Sequence, residues 1–293
     1  MSRSAVAPLR EVDDAAAAAI EAARQSGVDI VALDQIDQLT DGAALLATIW
    51  GADDEGAVVS KDVLRAMAHS GNYVAGAYLG TRLVGMSVGF LGMHEGDTHL
   101  HSHISGVARD VQNRRIGFAL KQHQRAWSLR RGLDLVVWTF DPLVRRNASF
   151  NLARLGAEVT AFHPNFYGHM EDTVNAGDES DRAVVEWALL SSAAVRAATR
   201  VAGPSNTADP TGDIVLRDRG DGRPEVCEGH GRRLAAWVPP DIVELRRVDS
   251  ALALDWRRAL RSTFGRAVED GYVATNMTKT GWYELERRKE GRT

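Results

Sequence analysis

The sequence predicts an α/β protein with a mixed sheet flanked by helices, and three features carry that expectation. Stretches 73–79, 83–92 and 100–107 follow one another with strand-like patterning. The run LDLVVWTF at 133–140 is almost continuously apolar, as in a central strand buried on both faces. From Asn113 to Arg130 the period changes, and Ile116, Ala119 and Leu120 recur at helical spacing.

The remaining elements follow in chain order. A helix is expected over 8–24, with Pro8 at its start, acids at Glu11, Asp13 and Asp14, an alanine-rich body and Gly27 at its stop. A first strand is expected at 28–33 and a helix at 41–50, where Ala44, Leu45, Thr48 and Ile49 share related faces before Gly51. Ser60 is a suitable N-cap for a helix through His69, which Gly71 and Asn72 interrupt. Gly80-Thr81 is the expected turn between the first two strands of the central group.

Beyond Asp141-Pro142, a short helix at 147–155 ends at Gly156, and strands are expected at 157–162 and 183–190. Residues 202–231 are rich in glycine, proline and charge and read as a linker, with a hairpin near Asp221-Gly222. A strand at 234–238, a helix at 250–268 and a β pair at 272–277 and 282–285 follow. The expected organisation is an N-terminal helical extension over 1–27, a main domain over 28–195, a linker over 196–232 and a smaller C-terminal α+β lobe over 233–293.

A chain of 293 residues is long enough to bury a substantial core. Its net charge of −4 argues against a generic nucleic-acid binder. Cys227 is the only cysteine, so no internal disulfide or multi-cysteine metal site can form, which suits a reducing compartment. With no spanning apolar segment, the expectation is a cytoplasmic protein with no membrane partner.

The most informative stretch is His99 to Lys121. Simple alternation puts His99, His101, His103 and Ser105 on one face of a strand and Leu100, Ser102 and Ile104 on the other. The strand feeds a helix start carrying Arg114, Arg115 and Gly117, with Arg109 just upstream. Helix starts present unpaired N–H groups and a positive dipole end, and arginines add charge-assisted hydrogen bonds. The physical expectation is an anion cradle beside titratable imidazoles.

That stretch resembles motif A of the GNAT superfamily of acyl-CoA-dependent N-acyltransferases, Gln/Arg-x-x-Gly-x-Gly/Ala, here Gln112-Asn113-Arg114-Arg115-Ile116-Gly117. Arg115 stands where the family usually has glycine. His101 and His103 precede Gln112 by eleven and nine residues, similar to the His-x-His of the serotonin-acetyltransferase branch. The segment 167–187 is similar to a signature of a poorly characterised predicted-acetyltransferase branch with a C-terminal extension.

The resemblance implies a splayed GNAT-type sheet and acetyl-CoA or another acyl-CoA as co-substrate. It assigns donor contacts to Ser105, Gly106, Val107, Arg109, Gln112, Asn113, Arg114, Arg115, Ile116, Gly117 and Asn147. It implies His101 and His103 as the base and its relay, and a small-molecule amine as acceptor, with a homodimer allowed. Leu152 stands where the family often has the tyrosine that protonates the leaving thiolate, and Tyr167 is the substitute considered. Alternatives stay open: a non-catalytic acyl-CoA sensor, a succinyl-CoA or other donor, and a metal site on the three histidines, although no metal is expected. Arg257, Arg258 and Arg261 read as a solvated helix face, and Asp181 and Arg182 as either acceptor-pocket residues or an ion pair capping a strand.

Overall fold

A computed structural model describes residues 8–51, 58–94, 96–168, 179–199 and 210–288. Residues 169–178 of the 167–187 signature segment and residues 200–209 of the expected linker lie outside the described residues, as do the ends of the chain. The described residues divide into two compact units, 8–138 with 188–199, and 139–168 with 179–187 and 210–288.

The first unit opens with helix α1 (Leu9–Ser26), which Gly27 terminates in the left-handed region. Strand β1 (Asp29–Ala32) follows, then α2 (Ile36–Trp50) and α3 (Lys61–His69). Helix α2 starts five residues earlier than the apolar spacing suggested, because Gln35 and Gln38 cap each other's backbone N–H groups in a capping box. Ser60 caps α3 as expected, accepting from the Val63 N–H.

Strands β2 (Tyr73–Leu79), β3 (Arg82–His94) and β4 (Asp97–Val107) form an antiparallel meander that also takes in β1. Helix α4 (Ile116–Leu129) connects β4 to β5 (Leu135–Phe140), which runs parallel to β4. The sheet of this unit is therefore mixed. Leu39, Leu46 and Leu64 of α2 and α3 pack on Met86, Val88 and Ile104 of one sheet face. Ile116 and Leu120 of α4 pack on Val84 and Ala77 of the other, and α1 lies against α4.

Two irregularities shape the functional end of this sheet. Val88 pairs with Ile104 but Gly89 pairs with Ser102, so His103 is an extra residue, a β-bulge in β4. A Cβ at Gly89 would stand 2.9 Å from the His101 carbonyl oxygen, so glycine permits the close approach. The second irregularity is the brevity of the parallel pairing. It joins only Leu100 to Val136 and His101 to Val137, after which β4 continues to Val107 with its β5-facing edge unpaired in the register. The strands part there.

The second unit is also built on a mixed sheet. Its strands β6 (Glu158–His163), β7 (Arg182–Ala188), β8 (Asp213–Asp218), β9 (Pro224–Val226), β10 (Arg233–Trp237), β11 (Tyr272–Met277) and β12 (Trp282–Arg287) lie in the order β7-β6-β11-β12-β10-β8-β9. Strands β8 and β10 are parallel and the other assigned pairs antiparallel. Strands β8 and β9 fall inside the stretch read as a linker and form the hairpin expected near Asp221-Gly222.

Two helices here change hydrogen-bond period, at Ser149–Arg154 and Arg261–Gly265, each a π-type turn following α-helix. The expected solvated arginine face holds for Arg258, which is exposed, and is corrected for Arg257 and Arg261. Arg257 is 2% exposed and donates to Asp141 at 2.9 Å, with Arg246 on the same carboxylate. Arg261 bonds Asp181 at 3.0 and 2.6 Å. Asp181 also accepts from the Asn165 backbone N–H, and Arg182 donates to the Asp181 backbone carbonyl at 2.9 Å, so the carboxylate of Asp181 pairs with Arg261.

Candidate active site

The site is assembled at the end of β4 and the start of α4. Phe90, opposite His101 on β3, stacks on it with ring centroids 4.8 Å apart and stands 5.8 Å from the His103 ring. The two imidazoles are 6.3 Å apart, centroid to centroid, on the sheet face that also carries Val88 and Ile104. Burial, then the neighbouring His103, His99 and Lys121, draws the His101 imidazole down to about 4. Burial lowers His103 as well. Both rings are therefore neutral proton acceptors at pH 7.

The bulge corrects one expectation. Simple alternation would put Ser105 with the histidines, but the extra residue at His103 reverses the parity beyond it. Ser105 Oγ instead lies 2.8 Å from Ser87 Oγ, and Ser87 is within 3.5 Å of Gln124 on α4. Ser105 thus belongs to the α4 face with Ser102, to which Lys121 donates at 2.9 Å.

After Val107 the chain makes a 3-10 turn at Arg109–Val111 and reaches α4 through Gln112, Asn113, Arg114 and Arg115. Asn113 and Arg115 adopt left-handed conformations, with φ of 70° and 65°. Arg115 thereby takes the geometry for which glycine is suited, at a conformational cost of roughly 1–2 kcal/mol. An Arg82–Asp110 ion pair with 2.7 and 2.9 Å bonds ties the turn to β3. Gln112 reaches back to the Val107 carbonyl at 3.4 Å.

No side chain caps α4, and the first bond of the ladder is from the Ala119 N–H to the Arg115 carbonyl. The amides of Ile116, Gly117 and Phe118 precede it. A Cβ on Gly117 would meet only Val107 Cγ2, at 3.9 Å, so the first turn has room for a side chain at this position. Arg109 and Arg114 are exposed beside it, and Arg115 lies 5.5 Å from the Phe118 ring. The donor set is thus backbone amides, a positive dipole end and guanidiniums, which suits a polyphosphate.

The other expected residues belong to the second unit. Asn147 is half-buried in the short helix Arg145–Ala148. Tyr167 is 47% exposed, 3.3 Å from Thr139 Oγ1, with the Arg182 guanidinium 5.2 Å from its ring centroid. Leu152 is buried. Among the described residues no group of three histidine, cysteine or carboxylate side chains gathers as a metal site, and no helix is long and apolar enough to cross a membrane.

Sequence reasoning missed Lys121 and Phe90. Lys121 is 6% exposed, and burial draws its ammonium down to about 7. Its neighbours at helical spacing, Gly117, Gln124 and Ser128, are small or polar and do not mark the position as buried.

No protein-family model matches this chain, and no curated protein matches it. Among solved structures the chain is similar to a GNAT-family acetyltransferase from Streptococcus pneumoniae at 10% identity, covering 54% of this chain and 97% of that one, with a TM-score of 0.44. The ribosomal-protein-S18-alanine N-acetyltransferase of Escherichia coli gives 12% identity over 54% and 92%, with a TM-score of 0.43. A GNAT-family acetyltransferase from Elizabethkingia anophelis with acetyl-CoA bound gives 17% over 56% and 99%, with a TM-score of 0.42.

Proposed function

We propose that the chain is an acyl-CoA-dependent N-acyltransferase of the GNAT type, with the donor held by the turn from Gln112 to Gly117 and the acceptor amine deprotonated at His101. The observation that carries this reading is the end of the β4–β5 pairing directly after His101, in a strand that leads to a helix start with no side-chain cap. The free edge of β4 from Ser102 to Val107 offers N–H and C=O groups to an amide-bearing arm. The amides of Ile116, Gly117 and Phe118 would hold the diphosphate, with Arg109, Arg114 and Arg115 around it. Acyl-CoA supplies an activated carbonyl, and the chain supplies position, a base and an oxyanion donor.

His101 takes a proton from the attacking amine, directly or through one water, as the nitrogen bonds to the thioester carbon. His103, at a water-bridging distance, passes that proton on to solvent. A backbone N–H of the free β4 edge beside the thioester, at the His101 end of that edge, steadies the oxyanion, an interaction often worth a few kcal/mol. When the carbon–sulfur bond breaks, the thiolate recovers a proton from solvent, and the products are an amide and free thiol. His101 is a weak base once desolvated, so it is always in its accepting form at neutral pH.

The test is thiol release from acetyl-CoA, butyryl-CoA and succinyl-CoA in the presence of a panel of primary amines, including amino acids and peptides. Amine-dependent release that His101→Ala lowers supports the reading. Tight CoA binding with no turnover on any amine favours a non-catalytic sensor.

A further inference from the structure

Lys121 is a buried lysine that the proposed transfer does not use. Its Nζ donates to Ser102 Oγ and to Gln124 Oε1, each at 2.9 Å, and lies 3.8 Å from the centroid of the Trp138 ring. Its close partners are two neutral oxygens and an aromatic face. Burial is the cause that lowers its basicity, with no carboxylate to offset it.

The location gives this its meaning. The last paired residues of β4 and β5 are His101 and Val137, and Ser102 and Trp138 are the next residue on each strand. The ammonium therefore lies against both sides of the gap at its root, on the α4 face, while His101 and His103 are on the opposite face. From Val107 to Ser102 the strand spans about 17 Å at ~3.3 Å per residue, on the order of an extended pantetheine arm. A donor anchored at Gly117 and laid along that edge would end with its thioester between the histidines and Lys121.

A methyl group needs an apolar seat, whereas this one is polar. Ser87 and Ser105, 2.8 Å apart, and Gln124 continue the hydroxyl and amide lining beneath β4. We infer that Lys121 and Ser102 form a receptor for a carboxylate on the donor's acyl group, so that the donor class is a dicarboxylic acyl-CoA. This assignment rests on the reading of the Gln112–Gly117 turn as the CoA cradle. A carboxylate in the gap gives the buried ammonium its missing counter-charge and converts two neutral hydrogen bonds into a charge-assisted site. The acyl tail then occupies the α4 face and leaves the histidine face to the amine.

Calorimetric titration of the full chain with CoA, butyryl-CoA and succinyl-CoA, without any acceptor, tests this. Butyryl is the neutral isostere of succinyl. The expected result is succinyl-CoA binding at least tenfold more tightly than butyryl-CoA, a preference that Lys121→Met abolishes and Ser102→Ala weakens. The wild-type comparison stands whether or not either variant folds. Equal wild-type affinity for the two donors, or a preference that survives in Lys121→Met, overturns the assignment, including the case in which an acceptor's carboxylate uses the site. Absence of binding by CoA itself overturns the cradle as well, which separates the two failures.

Discussion

The ring of Phe90 lies 4.8 Å from that of His101, stacked at 26°, and is part of the surroundings that strip water from this imidazole. Phe90→Ala is therefore expected to move the His101 pKa up from about 4 toward the ordinary value of 6.5. An NMR titration of the imidazole resonances reads it. No movement would mean that Phe90 contributes nothing to the desolvation.

His101→Ala is expected to lower kcat by about 10²–10⁴ with little change in donor KM. Because the wild-type ring stays neutral down to about pH 4, His101 imposes no acid limb near pH 6.5. The acid limb of kcat/KM should follow the acceptor amine and shift when the amine is changed. A limb fixed near 6.5 for every amine would contradict the assignment.

Arg115 combines a left-handed backbone with a cation at the cradle. Arg115→Gly is expected to raise stability by about 1 kcal/mol and to weaken CoA binding. Thermal melts with and without CoA separate the two effects. A simultaneous rise, or a simultaneous fall, in both would refute the division of labour.

Lys121 is drawn from 10.5 to about 7, so between those values the unfolded chain binds the proton that the native chain has released. Stability contributed by this group therefore rises with pH across that window and is at its worst below pH 7. Lys121→Met is expected to exceed the wild type in stability at pH 6.5, with the gap closing toward pH 10. Denaturant midpoints at the two ends check it, and a gap independent of pH would show that the lysine is not desolvated.

In the second unit, burial raises the Asp141 carboxyl but the guanidiniums of Arg257 and Arg246 outweigh it and hold it at about 2. Asp141→Asn removes the buried carboxylate that both guanidiniums share and is expected to cost about 3–5 kcal/mol. The wild-type contribution is present above about pH 4 and lost as pH falls toward 2, so the variant's urea midpoint should lie far below wild type at pH 7 and approach it in acid.

The strands at 73–79 and 272–277 and the Ser60 cap were legible because each rests on a local pattern of alternation or capping chemistry. The bulge at His103 was not, since an extra residue leaves the written alternation intact while reversing the face of Ser105. The helix at 250–268 was recognisable, but its turn at Arg261–Gly265 changes hydrogen-bond period without any change in side-chain type. The solvated reading of Arg257 and the silence of the sequence on Lys121 have a shared reason. What buries them are partners distant in sequence, Asp141 for one and the strand residues Ser102 and Trp138 for the other.

The central claim is that the turn into α4 grips a nucleotide diphosphate, and calorimetric titration of CoA into the wild type and Gly117→Asp tests it most directly. A Cβ at Gly117 makes only an ordinary contact with Val107, so the aspartate fits the fold but sets a negative charge where phosphate would sit. The expected result is saturable binding by the wild type and at least a tenfold loss in the variant, with unliganded melting temperatures alike. No binding by the wild type, or equal affinity in the two proteins, would contradict the account.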